Sequence, residues 1–207
     1  MTQDTRSLTF PSGPLTLEGV LHVPASTPAA GVVVCHPHPQ HGGDMDNNVV
    51  LAACEALAER GIAALRFNTR GTGRSEGEFD RGDGERDDVE AALDYLRSLP
   101  EVDASRVGLC GYSFGAMIAA EVGSGELRAL ALVSPPLAHG DLRVAWGCPA
   151  LVIGGDYDAV APVDRLRVVG EQPGVELRIV EGADHSWWEY EDELGEALVE
   201  FFEQHLR

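Results

Sequence analysis

Arg106-Val107-Gly108-Leu109-Cys110-Gly111-Tyr112-Ser113-Phe114-Gly115-Ala116-Met117-Ile118-Ala119-Ala120 sets an apolar run, a G-x-S-x-G pentapeptide and a small-residue helix start in direct succession. Val107–Cys110 reads as a strand and Phe114–Val122 as a helix, which leaves Ser113 on the sharp turn between them. Such a turn strains the serine backbone and lifts its hydroxyl clear of the sheet. The residues two before and two after must then lack bulk, which is the need that Gly111 and Gly115 meet. In a chain with 24 glycines, a lone G-x-S-x-G also has an ordinary reading as a Gly-lined turn. Its neighbours decide between the two.

Outward from this turn, strand and helix patterns alternate. Gly31–Cys35 and Ile62–Phe67 are short apolar runs of the buried parallel-strand type. Between them Asn47–Arg60 reads as a helix stopped by Gly61, and Asp87–Leu99 as a second helix stopped by Pro100. Ala129–Val133, Ala150–Ile153 and Val175–Val180 are further strands, with a helix at Val163–Val169 and an acidic amphipathic helix at Glu191–His205. Leu15–Val23 is an early strand. The pattern predicts one α/β domain over residues 1–207, a mostly parallel central sheet with helices on both faces. Chemistry in such sheets gathers at the carboxyl ends of the strands, here after Cys35, Phe67, Cys110, Val133, Ile153 and Val180.

A serine hydroxyl needs a general base that is itself held by a third group. Three histidines follow Ser113. His205 falls on the last turn of the final helix, where it reads as a helix-end cation, and His139 lies in the loop PPLAHGD. His185 follows a strand in the loop EGADHSWW and is the expected base. The acid lies in GGDYDAVAP, where Asp156 and Asp158 compete; Asp158, four residues before Pro162, is preferred.

Acyl transfer also needs two N–H donors aimed at the developing oxyanion. Phe114, next after the nucleophile, supplies one. The other is expected from His36-Pro37-His38-Pro39-Gln40-His41, in which the prolines have no N–H to give. His38 is therefore the expected donor, with Gln40 a weaker candidate. The same stretch admits a rival reading, since His36, His38 and His41 resemble a metal-binding H-x-H-x-x-H. An acidic residue directly before the last histidine would be usual in a hydrolytic metal site, and Gln40 stands there instead. No metal is expected.

Composition narrows the function classes. The chain of 207 residues carries 34 acidic and 15 basic side chains, for a formal charge of −19, and every basic residue is arginine. Such a surface repels phosphate backbones and anionic membranes, so neither nucleic acid nor membrane is an expected partner. No apolar run reaches the length of a transmembrane span, and Met1–Gly13 lacks the pattern of a secretory leader, so a cytoplasmic location is expected. Cys35, Cys54, Cys110 and Cys148 are scattered and read as reduced.

Taken together, CHPHP within GVVVCHPHPQHGG, the segment FNTRGTGRSEGEFDRGDGERDDVEAALDYL, GYSFG, GDYDAVAP and GADH resemble a small, lidless α/β-hydrolase. The nearest resemblance is to dienelactone-hydrolase-like proteins and to prokaryotic hydrolases carrying CHPHP, and it spans nearly the whole chain. It implies the α/β-hydrolase fold without a cap domain and the triad Ser113, Asp158 and His185. In similar proteins the acid is the Asp four before Pro, which favours Asp158. True dienelactone hydrolases generally use Cys where this chain has Ser113, so dienelactone is not implied as substrate. The turn Arg70-Gly71-Thr72-Gly73-Arg74-Ser75 lacks the Lys-Ser/Thr end of a phosphate loop and is expected to be structural.

The expected activity is serine-dependent cleavage of small-molecule carboxylic esters through an acyl-enzyme, with no cofactor. The same triad would also serve a thioesterase or acyltransferase, and a metal-dependent hydrolase using His36, His38 and His41 is the remaining alternative. Ser134–Gly147, between two strands, is too short for a helical cap, so an open site is expected. Met45, Leu137, Trp146, Trp187, Trp188 and Phe114 are the candidate walls of an acyl pocket, although core packing suits the tryptophan pair equally.

Overall fold

The computed structural model describes residues 4–122, 126–138, 142 and 146–207. Eight strands form one sheet: β1 (Asp4–Ser12), β2 (Leu15–Val23), β3 (Ala29–Cys35), β4 (Ala63–Phe67), β5 (Val102–Tyr112), β6 (Ala129–Val133), β7 (Ala150–Gly155) and β8 (Val175–Val180). Their order across the sheet is β1-β2-β4-β3-β5-β6-β7-β8. From β4 onward every pairing is parallel, whereas β1–β2 and β2–β4 are antiparallel. The sheet is mostly parallel, as its sequence pattern predicts.

Helices cover both faces. On one side α1 (Asn48–Glu59) and α5 (Glu191–His205) bury Val50, Leu57, Leu198 and Phe202 against the sheet. On the other, α2 (Asp83–Ser98), α3 (Phe114–Val122) and α4 (Val163–Gly170) bury Val89, Leu96, Ala119 and Leu166. With both faces covered, the central strands β3, β6 and β7 are buried along their whole length. That is why they read as unbroken apolar runs instead of alternating ones.

Three elements begin earlier than their apolar signal. The reading of the sequence places no strand before Leu15, yet DTRSLTFPS forms β1, paired with β2 from Asp4↔Val23 to Ser12↔Leu15. Most of this edge strand is exposed and only Phe10 and Ser12 are buried, so no apolar alternation marks it. Helix α2 starts at Asp83, not Asp87, because the Glu85 carboxylate accepts the N–H groups of Gly82 and Asp80 at 2.6 and 2.8 Å. A polar first turn capped this way carries no hydrophobic stripe. Strand β5 likewise begins at Val102, five residues before its apolar run.

Candidate active site

The turn between β5 and α3 has the conformation expected of G-x-S-x-G. Ser113 has φ +54°, a left-handed backbone that costs a non-glycine residue about 1–2 kcal/mol. Its N–H donates to the Val133 carbonyl at 2.9 Å and its own carbonyl accepts from Ala116 N–H at 2.9 Å. A Cβ at position 111 would stand 2.2 Å from the Gly115 oxygen, and one at position 115 would stand 2.5 Å from the Cys35 oxygen. Both glycines thus answer a close backbone approach, and the second presses the start of α3 against the end of β3.

Three loops at the carboxyl edge of the sheet meet over this turn. Ser113 Oγ lies 3.0 Å from His185 Nε2. The other ring nitrogen, Nδ1, lies 2.9 Å from Asp158 Oδ2 and 3.1 Å from Oδ1. Asp158 Oδ1 also accepts the N–H groups of Val160 and Ala161 at 2.8 and 2.9 Å, which fixes the carboxylate in its own loop. Burial alone would push the Asp158 carboxyl up, but His185, the Ala161 N–H and the Ser134 hydroxyl outweigh it and hold it below the usual Asp value. An ionised acceptor at Nδ1 keeps the proton on that nitrogen and leaves Nε2 free to take one from serine.

Asp156, the competing acid, is exposed and does other work: its Oδ1 accepts Gly182 N–H at 2.7 Å, clamping the acid loop to the histidine loop. Tyr112 contributes a second clamp, its hydroxyl donating to the His185 carbonyl at 2.6 Å. His205 packs on Phe201 within α5, with ring centroids 4.8 Å apart. His139 lies outside the described residues.

The two expected oxyanion donors stand side by side, the His38 and Phe114 rings 4.8 Å apart. Phe114 opens α3, where the first N–H groups have no intrahelical acceptor. The weaker candidate is removed, because Gln40 N–H donates to His38 Nδ1 at 3.2 Å. His36 is buried and spent: Nδ1 donates to the Pro37 carbonyl at 2.7 Å, while Nε2 accepts Thr69 N–H at 3.1 Å. Burial lowers its pKa, in keeping with that neutral, accepting state. With both nitrogens engaged, His36 cannot complete a ligand set with His38 and His41. Among the described residues no group of three or more His, Cys, Asp or Glu is placed to hold a metal ion.

The turn at 70–75 holds the scaffold together. Arg70 forms a bidentate pair with buried Asp88, at 2.8 and 3.0 Å, and Arg74 pairs with Glu18 at 2.7 Å. Ser75 Oγ donates to the Asn68 carbonyl at 2.7 Å. These side chains face protein groups, not a phosphate.

The candidate pocket walls divide. Trp187 has no exposed surface and packs in the α1/α5 layer, its indole N–H donating to Ser134 Oγ at 2.9 Å. It therefore lines no pocket, and the core reading of this tryptophan is the right one. Leu137 is buried in the opposite layer and has almost no surface to offer a substrate. Met45 is buried too, its N–H donating to Asn68 Oδ1 at 2.8 Å. Trp146 is half-buried, its indole bonded to the Ala120 carbonyl at 2.8 Å, and Trp188 is 66% exposed. Two neighbours escaped the sequence reading. Phe79, alone in an acidic Gly-rich loop, packs on His38 and Phe114 at centroid distances of 4.9 and 5.8 Å. Ser134, with φ +45°, sits at the end of β6 beside Asp158. A residue immediately after a buried strand was the one signal that could have found it.

Comparison with known proteins agrees with this fold. Residues 16–150 match the family model of the X-Pro dipeptidyl-peptidase (S15) family. An uncharacterized protein of Rickettsia prowazekii is 33% identical over 193 residues, covering 86% of this chain and 80% of its own. An α/β serine hydrolase without lid from Xanthomonas campestris superposes with a TM-score of 0.87 at 30% identity, over 100% of this chain and 97% of that one. A serine hydrolase homologue from Coxiella burnetii gives 0.82 at 33% identity, over 97% of both chains. A cutinase of Thermobifida alba is 32% identical over 124 residues, 53% of this chain and 37% of its own. The chain belongs to the S15 family, as a small lidless α/β serine hydrolase.

Proposed function

We propose that this chain is a carboxylesterase-type enzyme in which Ser113, His185 and Asp158 act as nucleophile, general base and orienting acid. What carries the reading is the unbroken series Ser113 Oγ–His185 Nε2 at 3.0 Å and His185 Nδ1–Asp158 Oδ2 at 2.9 Å. As Ser113 Oγ bonds to the ester carbonyl carbon, its proton passes to Nε2 and the carbonyl oxygen becomes an oxyanion. The N–H groups of Phe114 and His38 stabilise that charge. Collapse breaks the carbon–oxygen bond to the alcohol, which leaves with the proton held by His185. Water, deprotonated by the same nitrogen, then attacks the acyl-enzyme, releases the acid and returns the proton to Ser113. Nucleophile, base and donors all come from the chain, so the cycle uses no cofactor.

The acidic surface suits a small-molecule ester in the cytoplasm better than a polyanionic partner. No helix among the described residues is long and apolar enough to cross a membrane.

Labelling with a fluorophosphonate, mapped by mass spectrometry, tests the reading. Ser113 should be phosphonylated in the native protein and unmodified in His185→Ala. Labelling at another residue, or equal labelling of Ser113 in the variant, would reject it.

A further inference from the structure

Between the loop that follows β3 and the loop that follows β4 lies a cleft of roughly 470 Å³. Gly43 and Asp44 line it on one side, and Thr72, Gly73, Glu78 and Phe79 on the other. Phe79 is also the ring that touches His38 and Phe114. An ester whose carbonyl oxygen reaches those two residues therefore has Phe79 as its neighbour, and the cleft continues past it.

The chemistry of the cleft is one-sided. Among the described residues, its charged residues are Asp44 and Glu78, no basic residue lines it, and neither acid forms a salt bridge. Three nearby arginines are committed elsewhere, Arg66 to Asp46, Arg70 to Asp88 and Arg74 to Glu18. Thr72 is only 7% exposed, yet its Oγ1 has no hydrogen-bond partner. A buried hydroxyl without a partner is uncommon, because it forfeits a hydrogen bond that water would supply. A half-buried aromatic ring, two carboxylates outside any ion pair among the described residues and the oxygen dipole of the unpartnered Thr72 hydroxyl beside them all complement positive charge. Of the two carboxylates, Asp44 also accepts the Asp46 N–H at 2.9 Å.

We propose that this cleft is a subsite for an ammonium-bearing arm of the ester. The inference rests on the esterase reading above and specifies which substrates that site prefers. The ring supplies a cation–π face, Asp44 and Glu78 supply the opposite charge, and an arm ending in carboxylate or phosphate is repelled.

The test compares choline butyrate with its uncharged isostere, in which carbon replaces the quaternary nitrogen, and repeats the pair with the ammonium on the acyl side. The charged member should be favoured roughly tenfold in kcat/KM in at least one pair. That ratio should fall toward one in Glu78→Gln, in Asp44→Asn and in Phe79→Leu, which keeps an apolar side chain but removes the ring. Glu59→Gln, on the exposed end of α1, should leave it unchanged, separating the cleft from the general attraction of a −19 surface. Glu78 is exposed, so its substitution leaves packing intact should the other variants fold poorly. An enzyme that labels with fluorophosphonate but shows a ratio of one or less in both pairs overturns the subsite alone. A ratio that survives all three cleft substitutions does the same. Absence of both labelling and turnover overturns the esterase reading instead.

Discussion

The indole N–H of Trp187 donates to Oγ of Ser134 at 2.9 Å, and both residues are completely buried with positive φ, +60° and +45°. Trp187 stands two residues after His185, and Ser134 directly follows β6, beside Asp158. One hydrogen bond thus ties the loop of the base to the neighbourhood of the acid. Having accepted the indole proton, Ser134 directs its own hydroxyl hydrogen toward the Asp158 carboxylate, whose pKa it helps to lower. Of five non-glycine residues with positive φ among the described residues, four, Ser113, Ser134, Trp187 and Glu189, lie in these loops. Backbone strain concentrated in this way marks a site whose geometry is over-determined by its surroundings.

Trp187→Phe keeps most of the ring and removes only the donor, so it should lower kcat several-fold while KM holds. Ser134→Ala should do the same. Because the two act through one contact, the double variant should be little worse than the worse single one, a coupling of about 1 kcal/mol. Steady-state kinetics on one ester for all four proteins measures it, and simple additivity would mean that the contact does not support the triad.

Ser113→Ala should lose at least about 10⁴-fold in turnover with the fold intact. Ser113→Gly should be equally inactive yet up to about 1 kcal/mol more stable than the alanine variant, since glycine accepts φ +54° without strain. Urea midpoints of the two variants decide this, and an alanine variant that is the more stable would show the elbow to be relaxed.

Legibility followed burial. Strands β3, β6 and β7, covered on both faces, announce themselves as apolar runs, and the alternating order from Gly31 onward is sufficient for the sheet. β1 is silent because an exposed edge strand with one buried phenylalanine has no hydrophobic period to read. Ser113, Asp158 and His185, which the structure brings into one hydrogen-bonded series, were readable as candidates because the proposed chemistry asks for those side chains at strand ends, in that order. Trp187 and Trp188 were not, since adjacent identical side chains carry no sign of which one turns inward; φ +60° at Trp187 sends it into the core and leaves Trp188 outside. Phe79 was unreadable for a related reason, as its role comes from a loop crossing that no local pattern records.

Asp158→Asn tests the acid in two independent ways. The amide presents a donor where Nδ1–H needs an acceptor, so the wrong tautomer is favoured and turnover should fall by about 10⁴. Stability carries the second signature. The folded-state pKa of Asp158 is depressed, so its carboxylate stabilises the native state above the unfolded value of about 3.9 and ceases to do so as pH falls through the folded value. The gap in urea midpoint between wild type and variant should therefore narrow below about pH 4. A gap that is constant from neutral pH to pH 3, on the order of a unit below that midpoint, would show the carboxylate to be unshifted.

His22 sets a separate acid limit on the fold. On β2 it is buried, and its Nε2 accepts Arg66 Nε–H at 3.1 Å. Protonation would desolvate a charge and then turn that nitrogen against a guanidinium, and burial followed by Arg66 lowers its pKa to about 4. The unfolded chain, with an ordinary histidine, binds the proton near pH 6.5, so between those values it holds more protons than the native state. Stability must then be complete above pH 6.5 and fall as pH drops toward 4, by about 3 kcal/mol for a shift of this size. His22→Gln keeps an acceptor for Arg66 but cannot titrate. Its stability should change less over this window, so the two profiles converge on acidification, and parallel profiles would mean that His22 titrates normally in the folded protein.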